Sequence, residues 1–451
     1  MISRRQLMKA GLLGTAALPM LLPRKARAAI ADVDVIVIGA GIAGLAAAQR
    51  LVELGYETIV LEADSVPGGR IKTDWTLEAP FEVGAGWIHG PDGNPISDLA
   101  EAVDAKPFVT DDDSYRVFAA NGDPVSVSDI DAGNKRLEKL YAAIDDELDN
   151  DMALSKAIAR MGGKLKSDPV VNWMTSAYTE FSTGGPIDKL SGYYFDEDGV
   201  YPGDDVILTQ GYDTIIRQMA GPLDIRLNTR VSAIAYEKGE GAVVSTDAGD
   251  FESSFVICTV PLGVLKSGDI RFDPPLPKGH RRSIEKIGMG NVTKLALKFD
   301  KAYWPADVQY FGLMTETRGR WNYFLNYRTF SEENILLGLC FGSYAQTAEA
   351  MSDDEMVADC MDAVRTMFGG DVPEPSGHLA TRWSKNPNSR GAYSYSSVGS
   401  QPKHFDDLAA PVADTILLAG EHTNFEYHAT VHGAYQSGRN AAQIIEDRLA
   451  D

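Results

Sequence analysis

The feature that most constrains this chain is a strand–turn–helix–strand run near its start. Val33-Asp34-Val35-Ile36-Val37-Ile38 is apolar-rich, as a buried parallel strand requires. It runs into Gly39-Ala40-Gly41-Ile42-Ala43-Gly44, a G-x-G-x-x-G, after which Leu45, Ala48, Leu51 and Val52 follow helical spacing. Glu57-Thr58-Ile59-Val60-Leu61-Glu62 reads as a second strand and ends in an acid 21 residues after Gly41. Gly39 permits the tight turn, Gly41 lets backbone approach a pyrophosphate, and Gly44 lets helix and strand pack closely. The first helical turn, which holds Ala43, offers free N–H groups and a positive dipole end to the phosphates. Glu62 is placed to accept ribose hydroxyls, and an acid there disfavours a 2′-phosphate. The expectation is a dinucleotide-binding α/β fold.

Composition narrows the field. At 451 residues the chain exceeds one small core, so two domains are expected. Hydrophobic residues at 44% and charged residues at 24% suit a globular protein and not a disordered one. Acids outnumber bases 64 to 42, so a basic face for nucleic acid is not expected. Three cysteines, Cys258, Cys340 and Cys360, make no disulfide framework and show no C-x-x-C spacing, so no metal site is expected.

Residues 1–28 read as an address. Arg4-Arg5 precede a short apolar run from Ala10 to Leu22, and Ala26-Arg27-Ala28 offers a cleavage site. The run is shorter than the roughly 20 residues needed to span a bilayer, so no stable membrane anchor is expected. Ser3-Arg4-Arg5-Gln6-Leu7-Met8-Lys9 resembles a twin-arginine signal, which implies export of a folded protein, to the periplasm. Loss of this segment leaves 36 bases against 64 acids.

Six residues after Glu62 stands Gly68-Gly69-Arg70, similar to the second glycine pair and arginine of FAD-dependent amine oxidases. Arginine suits a pyrophosphate because its planar fork donates twice to phosphate oxygens. Further blocks match. They are Glu82-Val83-Gly84-Ala85-Gly86-Trp87-Ile88-His89-Gly90 with Asn94-Pro95, Leu208-Thr209-Gln210-Gly211-Tyr212, and Cys258-Thr259-Val260-Pro261-Leu262-Gly263-Val264-Leu265-Lys266. Gly290-Asn291-Val292-Thr293-Lys294, Arg382-Trp383, Gly391-Ala392-Tyr393-Ser394-Tyr395, Gly420-Glu421-His422-Thr423 and Ala429-Thr430-Val431-His432-Gly433-Ala434 complete the set. Spread from residue 33 to about 446, they are specific together. The chain resembles the flavin-containing amine oxidases, nearest their polyamine oxidase and histone-demethylase branch.

That resemblance implies a Rossmann-type FAD-binding domain built from 29–105, 207–284 and 386–451. An α+β substrate-binding domain takes 106–206 and 285–385. It implies cofactor contacts at Gly39, Gly41, Ala43, Gly44, Glu62, Gly69, Arg70, Gly86, Trp87, Val231, Trp383, Glu421 and Thr430. Lys294 is expected beside the flavin nitrogen N5, assisting oxygen. His89 is expected to meet the substrate amine. Tyr393 is one wall of an aromatic slot, and Thr430 stands where monoamine oxidases carry the second. Ala392 replaces the cysteine that links flavin in those enzymes, so FAD is expected to bind non-covalently. The implied activity is oxidation of the carbon beside an amine nitrogen in a polyamine such as spermidine, with oxygen as acceptor. Monoamine, amino-acid or alkaloid oxidation, and a quinone or cytochrome acceptor, are the alternatives. Histone demethylation does not suit an exported protein.

Pattern alone is blander about these residues. Val292 to Phe299 alternates like a half-exposed strand, which reads Lys294 and Lys298 as two lysines on one outer face, Lys298 solvated. His89 reads as a loop histidine and Trp383 and Tyr395 as core. Asp224–Asn228, 242–246 and 255–258 read as strands, and 129–161 as a helical insertion. Asp196-Glu197-Asp198 with Asp204-Asp205 reads as a solvated acidic loop, or as a mouth that draws in a polycation, with Glu180 a candidate for a distal ammonium.

Overall fold

The structure is a computed structural model and describes residues 32–450, so the expected export signal lies outside the described residues. The strand β1 (Asp32–Ile38), helix α1 (Ile42–Glu53) and strand β2 (Thr58–Leu61) form the expected opening unit. β1 sits near the middle of an eight-stranded sheet, paired in parallel with β2 on one side and with Asp250–Cys258 on the other. The sheet continues from β2 to Asp224–Arg226, and from Asp250–Cys258 through Gly241–Thr246 and Val231–Glu237 to Arg271–Asp273. Ile416–Leu418 pairs in parallel with the last three residues of Asp250–Cys258. Three distant stretches of chain therefore share one sheet.

At the centre of that sheet, along Val35–Ile38 of β1 and along β2, both faces are buried, which is why these strands read as apolar runs. Val35, Val37, Val60, Ile257 and Leu417 point to a core shared with α1. Ile36, Ile38, Ile59, Leu61, Val256 and Leu418 point to the opposite core. Each such side chain contributes about 1.5–3 kcal/mol when fully buried. The final helix, Val431–Ala450, lies against α1 so closely that a Cβ on Gly438 would stand 2.0 Å from the Ala43 carbonyl oxygen.

A second, six-stranded sheet runs in the order Gly377–Ala380, β3 (Val292–Lys298), Ile335–Phe341, Tyr323–Asn326, Tyr310–Leu313 and Tyr115–Phe118. All pairs are antiparallel except the last. Helices cover it, and the expected insertion resolves into Val127–Glu147 and Leu154–Arg160. The whole is the expected Rossmann-like α/β fold with an α+β companion. β3 corrects the pattern reading: its first six residues are all buried, because the sheet is covered on both faces. No helix among the described residues is long and apolar enough to cross a membrane.

Candidate active site

One end of the site is made of backbone. β1 ends at Gly39, whose φ of +99° only glycine adopts freely, and a Cβ there would meet the Thr259 hydroxyl at 2.7 Å. A Cβ on Gly44 would stand 1.9 Å from the Gly39 carbonyl oxygen, so this glycine is needed for packing. Gly41 differs: a Cβ there would meet nothing nearer than the Gly68 carbonyl oxygen at 4.0 Å. A Cβ on Gly69 would meet only the Gly41 Cα, at 3.5 Å. The two glycine backbones thus lie against each other at the start of α1, with the Cβ side of Gly41 left open. Gly41 caps α1 without a side chain, and the first turn holds no acid. Its N–H groups and positive dipole end are left for an anion.

Charged groups frame this cradle. Glu62 is buried and accepts from the Ala40 N–H (2.6 Å) and the Asp64 N–H (2.7 Å). Burial raises its carboxyl above the usual range despite those donors. Thr229 N–H donates to the Glu62 carbonyl oxygen (2.7 Å), which brings the start of the strand at Val231 to the same edge. Arg70 Nη1 donates to the Ala392 carbonyl oxygen and to Glu421 Oε1, both at 2.8 Å. Glu421 Oε2 takes the Ser394 hydroxyl (2.5 Å), the Ser394 N–H (3.2 Å) and the Ala429 N–H (3.0 Å). Burial pushes the Glu421 carboxyl up, but Arg70, His422 and these donors outweigh it and hold it at about 2. Glu421 is therefore a fixed anion that aims Arg70. His422, fully buried beside it, has no partner on either ring nitrogen among the described residues. Burial drives its pKa down to about 4.

An open glycine cradle, an uncapped helix N-terminus, an aimed arginine and orphaned buried imidazole nitrogens suit an anionic dinucleotide. FAD fits this donor set. The sequence shows His422 only as part of a matched block, since nothing in it marks a histidine as lacking partners.

The other end is made of side chains brought from far apart. The segment 82–89 is fixed by Trp383, whose indole N–H donates to the Val83 carbonyl oxygen (2.9 Å), and by Ala85 N–H on the Arg70 carbonyl oxygen (3.0 Å). β3 delivers Lys294 to it. Lys294 is 6% exposed, and its Nζ donates to the carbonyl oxygens of Glu82 (3.0 Å) and Gly84 (2.6 Å). The ammonium lies over the Trp87 ring at 5.5 Å from its centroid. A Cβ on Gly86 would stand in ordinary contact with Lys294 Nζ, at 3.5 Å, so Gly86 lines the ammonium's pocket. The Glu82 carboxylate, buried, accepts from the Tyr212 N–H and the Thr73 hydroxyl, each 2.9 Å away. Burial pushes the Glu82 carboxyl up and the Lys294 ammonium down, while each charge steadies the other.

His89 lies beyond Trp87, its ring 6.4 Å from the indole and 21° from parallel. Its side chain is 53% exposed, and Nδ1 meets Asp205 Oδ2 at 2.5 Å. Tyr393 donates its hydroxyl to the Phe181 carbonyl oxygen, with its ring against Gly184. Thr430 Oγ1 accepts from the Gly433 N–H (2.9 Å), capping the final helix. Lys294, Trp87 and His89 are thus brought together, with Arg70 and Glu421 joining Ala392 and Ser394, the neighbours of Tyr393.

Two expectations change. Lys298 is not solvated: only 18% of its side chain is exposed, and it pairs with Glu78 and with Glu333, the latter at 2.8 Å. The excursion around Leu77 and Glu78 folds over it, as the Lys298 bond to the Leu77 carbonyl oxygen (3.1 Å) shows. The acidic run also divides. Asp196, Glu197, Asp198 and Asp204 are exposed, whereas Asp205 is committed to His89 and was missed as its partner. Tyr395 is core, as read. Glu180 is buried on a π-helical turn, Thr175–Glu180, where Oε1 accepts from the Ile187 N–H (3.0 Å) and the carboxylate packs on Gly342.

The chain is similar to known proteins. The model of the flavin containing amine oxidoreductases matches residues 42–445. A probable polyamine oxidase 4 of Arabidopsis thaliana is 34% identical over 91% of this chain and 86% of its own. Lysine-specific histone demethylase 1 homolog 1 of the same plant is 33% identical over 91% of this chain but 52% of its own. A putrescine oxidase solved with putrescine shares the fold, with a TM-score of 0.78 at 21% identity, over 93% of this chain and 99% of that one. This chain belongs to the flavin-containing amine oxidoreductases: it is an FAD-dependent, amine-oxidising enzyme of the branch that holds the polyamine oxidases and the lysine-specific histone demethylases.

Proposed function

We propose that the enzyme oxidises the carbon beside a secondary amine of a polyamine of the spermidine and spermine class. Amine, dioxygen and water give an aminoaldehyde, a shorter amine and hydrogen peroxide. The observation that carries this reading is the position of His89, half exposed past Trp87 with Asp205 and Asp112 within Coulomb reach. A long amine cation leaving Trp87 meets carboxylates there. The relatives named polyamine oxidases support the same class.

FAD, when bound, would supply the hydride acceptor for the carbon beside nitrogen and the route for those electrons to dioxygen. The chain's own residues bind, orient and supply charge. Trp87 and Tyr393 give the amine flat walls and keep water from the reacting carbon. Thr430, small where a second aromatic wall would stand, leaves the slot wide enough for a substituted nitrogen. Lys294 keeps a positive charge, fixed by two carbonyl oxygens, where negative charge develops. With Ala392 at the linking position and all three cysteines buried, FAD is held without a covalent bond. We assign 29–105, 207–284 and 386–451 to the FAD domain and the intervening stretches to the substrate domain. We also place the enzyme outside the cytoplasmic membrane, exported folded through the signal read in residues 1–28.

The test is anaerobic titration of the purified yellow protein with di-, poly- and monoamines, followed by product identification. Spermidine or spermine should bleach the flavin and, in air, yield peroxide. Bleaching only by monoamines or amino acids, or by no amine, overturns the substrate assignment.

A further inference from the structure

Besides lending charge to the mouth, Asp205 makes a hydrogen bond to His89 that carries a step of its own. The carboxylate is built to face this ring. Asp205 Oδ2 meets His89 Nδ1 at 2.5 Å, and Oδ1 accepts the Gly90 N–H at 3.0 Å. The Asp205 carbonyl oxygen takes both the N–H and the hydroxyl of Thr110, each at 2.9 Å. The following residue, Val206, exchanges two backbone hydrogen bonds with Ile88 (2.8 and 3.1 Å). Asn94 Nδ2 donates to the His89 carbonyl oxygen at 2.9 Å, and the Trp87 indole stacks beside the ring. Backbone and ring are therefore both held from more than one side.

We propose that Asp205 is a positioning residue that keeps the proton on His89 Nδ1 and so presents a bare Nε2 to the substrate amine. The argument is one of valence. A carboxylate only accepts, so the nitrogen it touches must donate, and a neutral imidazole then has its lone pair on the other nitrogen. Burial alone raises the Asp205 carboxyl, but its bonds to His89 and Gly90 prevail and hold it below the usual carboxylate range, as an anion. The other groups facing His89 are Asp112 and, from the start of the final helix, His432, whose own pKa burial drives down to about 4. His432 is thus neutral near pH 7 and does not compete for the proton.

The inference rests on the proposed amine oxidation and specifies one step of it. A polyamine arrives as an ammonium, and its carbon gives up a hydride only from the neutral amine. His89 Nε2 takes one proton from the substrate nitrogen. The resulting imidazolium stays paired with the Asp205 carboxylate, and the substrate keeps the lone pair that expels the hydride. No electrons change hands in this step.

The experiment is anaerobic stopped-flow reduction of the holoenzyme by spermidine, for the wild type, D205A, D205N, H89A and D205A/H89A. D205N keeps the shape, but its amide can donate to Nδ1 and so moves the imidazole proton to Nε2. Each single variant should reduce at least about tenfold more slowly at pH 7 while keeping the flavin spectrum. The double variant should be no slower than H89A, because Asp205 acts through His89. The loss in D205A and D205N should shrink as pH rises and spermidine arrives already neutral. Multiplying losses in the double variant, or a loss that ignores pH, overturns the proposal. If D205A does not take up FAD, D205N and H89A carry the same comparison through their pH profiles. A wild type that no polyamine bleaches defeats the proposed function itself. A wild type that bleaches while H89A matches it defeats this inference alone.

Discussion

The nucleotide cradle and the lysine pocket belong to one site and are built in opposite ways. The cradle is backbone: Gly39, Gly41, Gly44 and Gly69 shape it, and the groups offered are N–H donors at the start of α1. Its residues are close in sequence, and its tolerances are steric. The lysine pocket is side chains on carbonyl oxygens. Lys294 reaches across 210 residues to Gly84, and Trp383 across 300 to Val83. Its tolerances are electrostatic. Damage to the first should cost the cofactor, and damage to the second should cost only part of the chemistry.

The sharpest break is Gly44→Val. With a Cβ 1.9 Å from the Gly39 carbonyl oxygen, the turn cannot keep its shape, and the protein should be recovered colourless or insoluble. Absorbance near the flavin band, relative to protein, checks this. Lys294→Met should keep the colour and reduce with amine nearly as the wild type does. Its reoxidation by oxygen should be about 100-fold slower, the scale of losing one fixed group beside developing charge. A colourless Lys294→Met would erase the contrast between the two ends.

The pH profile refines the same point. Burial brings the Lys294 ammonium down to about 8, with Glu82 pulling it back up. The cation is present below that value and lost above it. Wild-type reoxidation should therefore slow as pH rises through about 8, and Lys294→Met should show no such step. The smallest effect belongs to Lys298→Met. This lysine has the same charge on the same strand but is bound to Glu78 and Glu333. Its loss should cost about 1 kcal/mol or less in thermal or urea unfolding and leave reoxidation unchanged.

The two lysines also show where sequence reading runs out. The cradle was legible because glycine spacing, strand and helix are local and each has a steric meaning. The alternation of Val292 to Phe299 was legible too, but it assigns Lys294 and Lys298 the same outer face. What separates them is a piece of chain more than 200 residues away, which lays two carbonyl oxygens over one and Glu78 over the other. Periodicity holds no record of that. Lys294 was singled out only through the family resemblance. Asp205 stayed hidden for a similar reason. It lies in an acidic run that looks solvated, and its partner is 116 residues earlier.

One contact described above bears on biosynthesis. Gly438 rests on the backbone of Ala43, and Ile416–Leu418 completes the sheet that begins with β1. The first glycines emerge from the ribosome almost four hundred residues before the surface that must brace them. Until residue 438 has been made, the first turn of α1 lacks the helix that packs on it, and a stop codon before that point would leave the nucleotide site encoded at the beginning without this support.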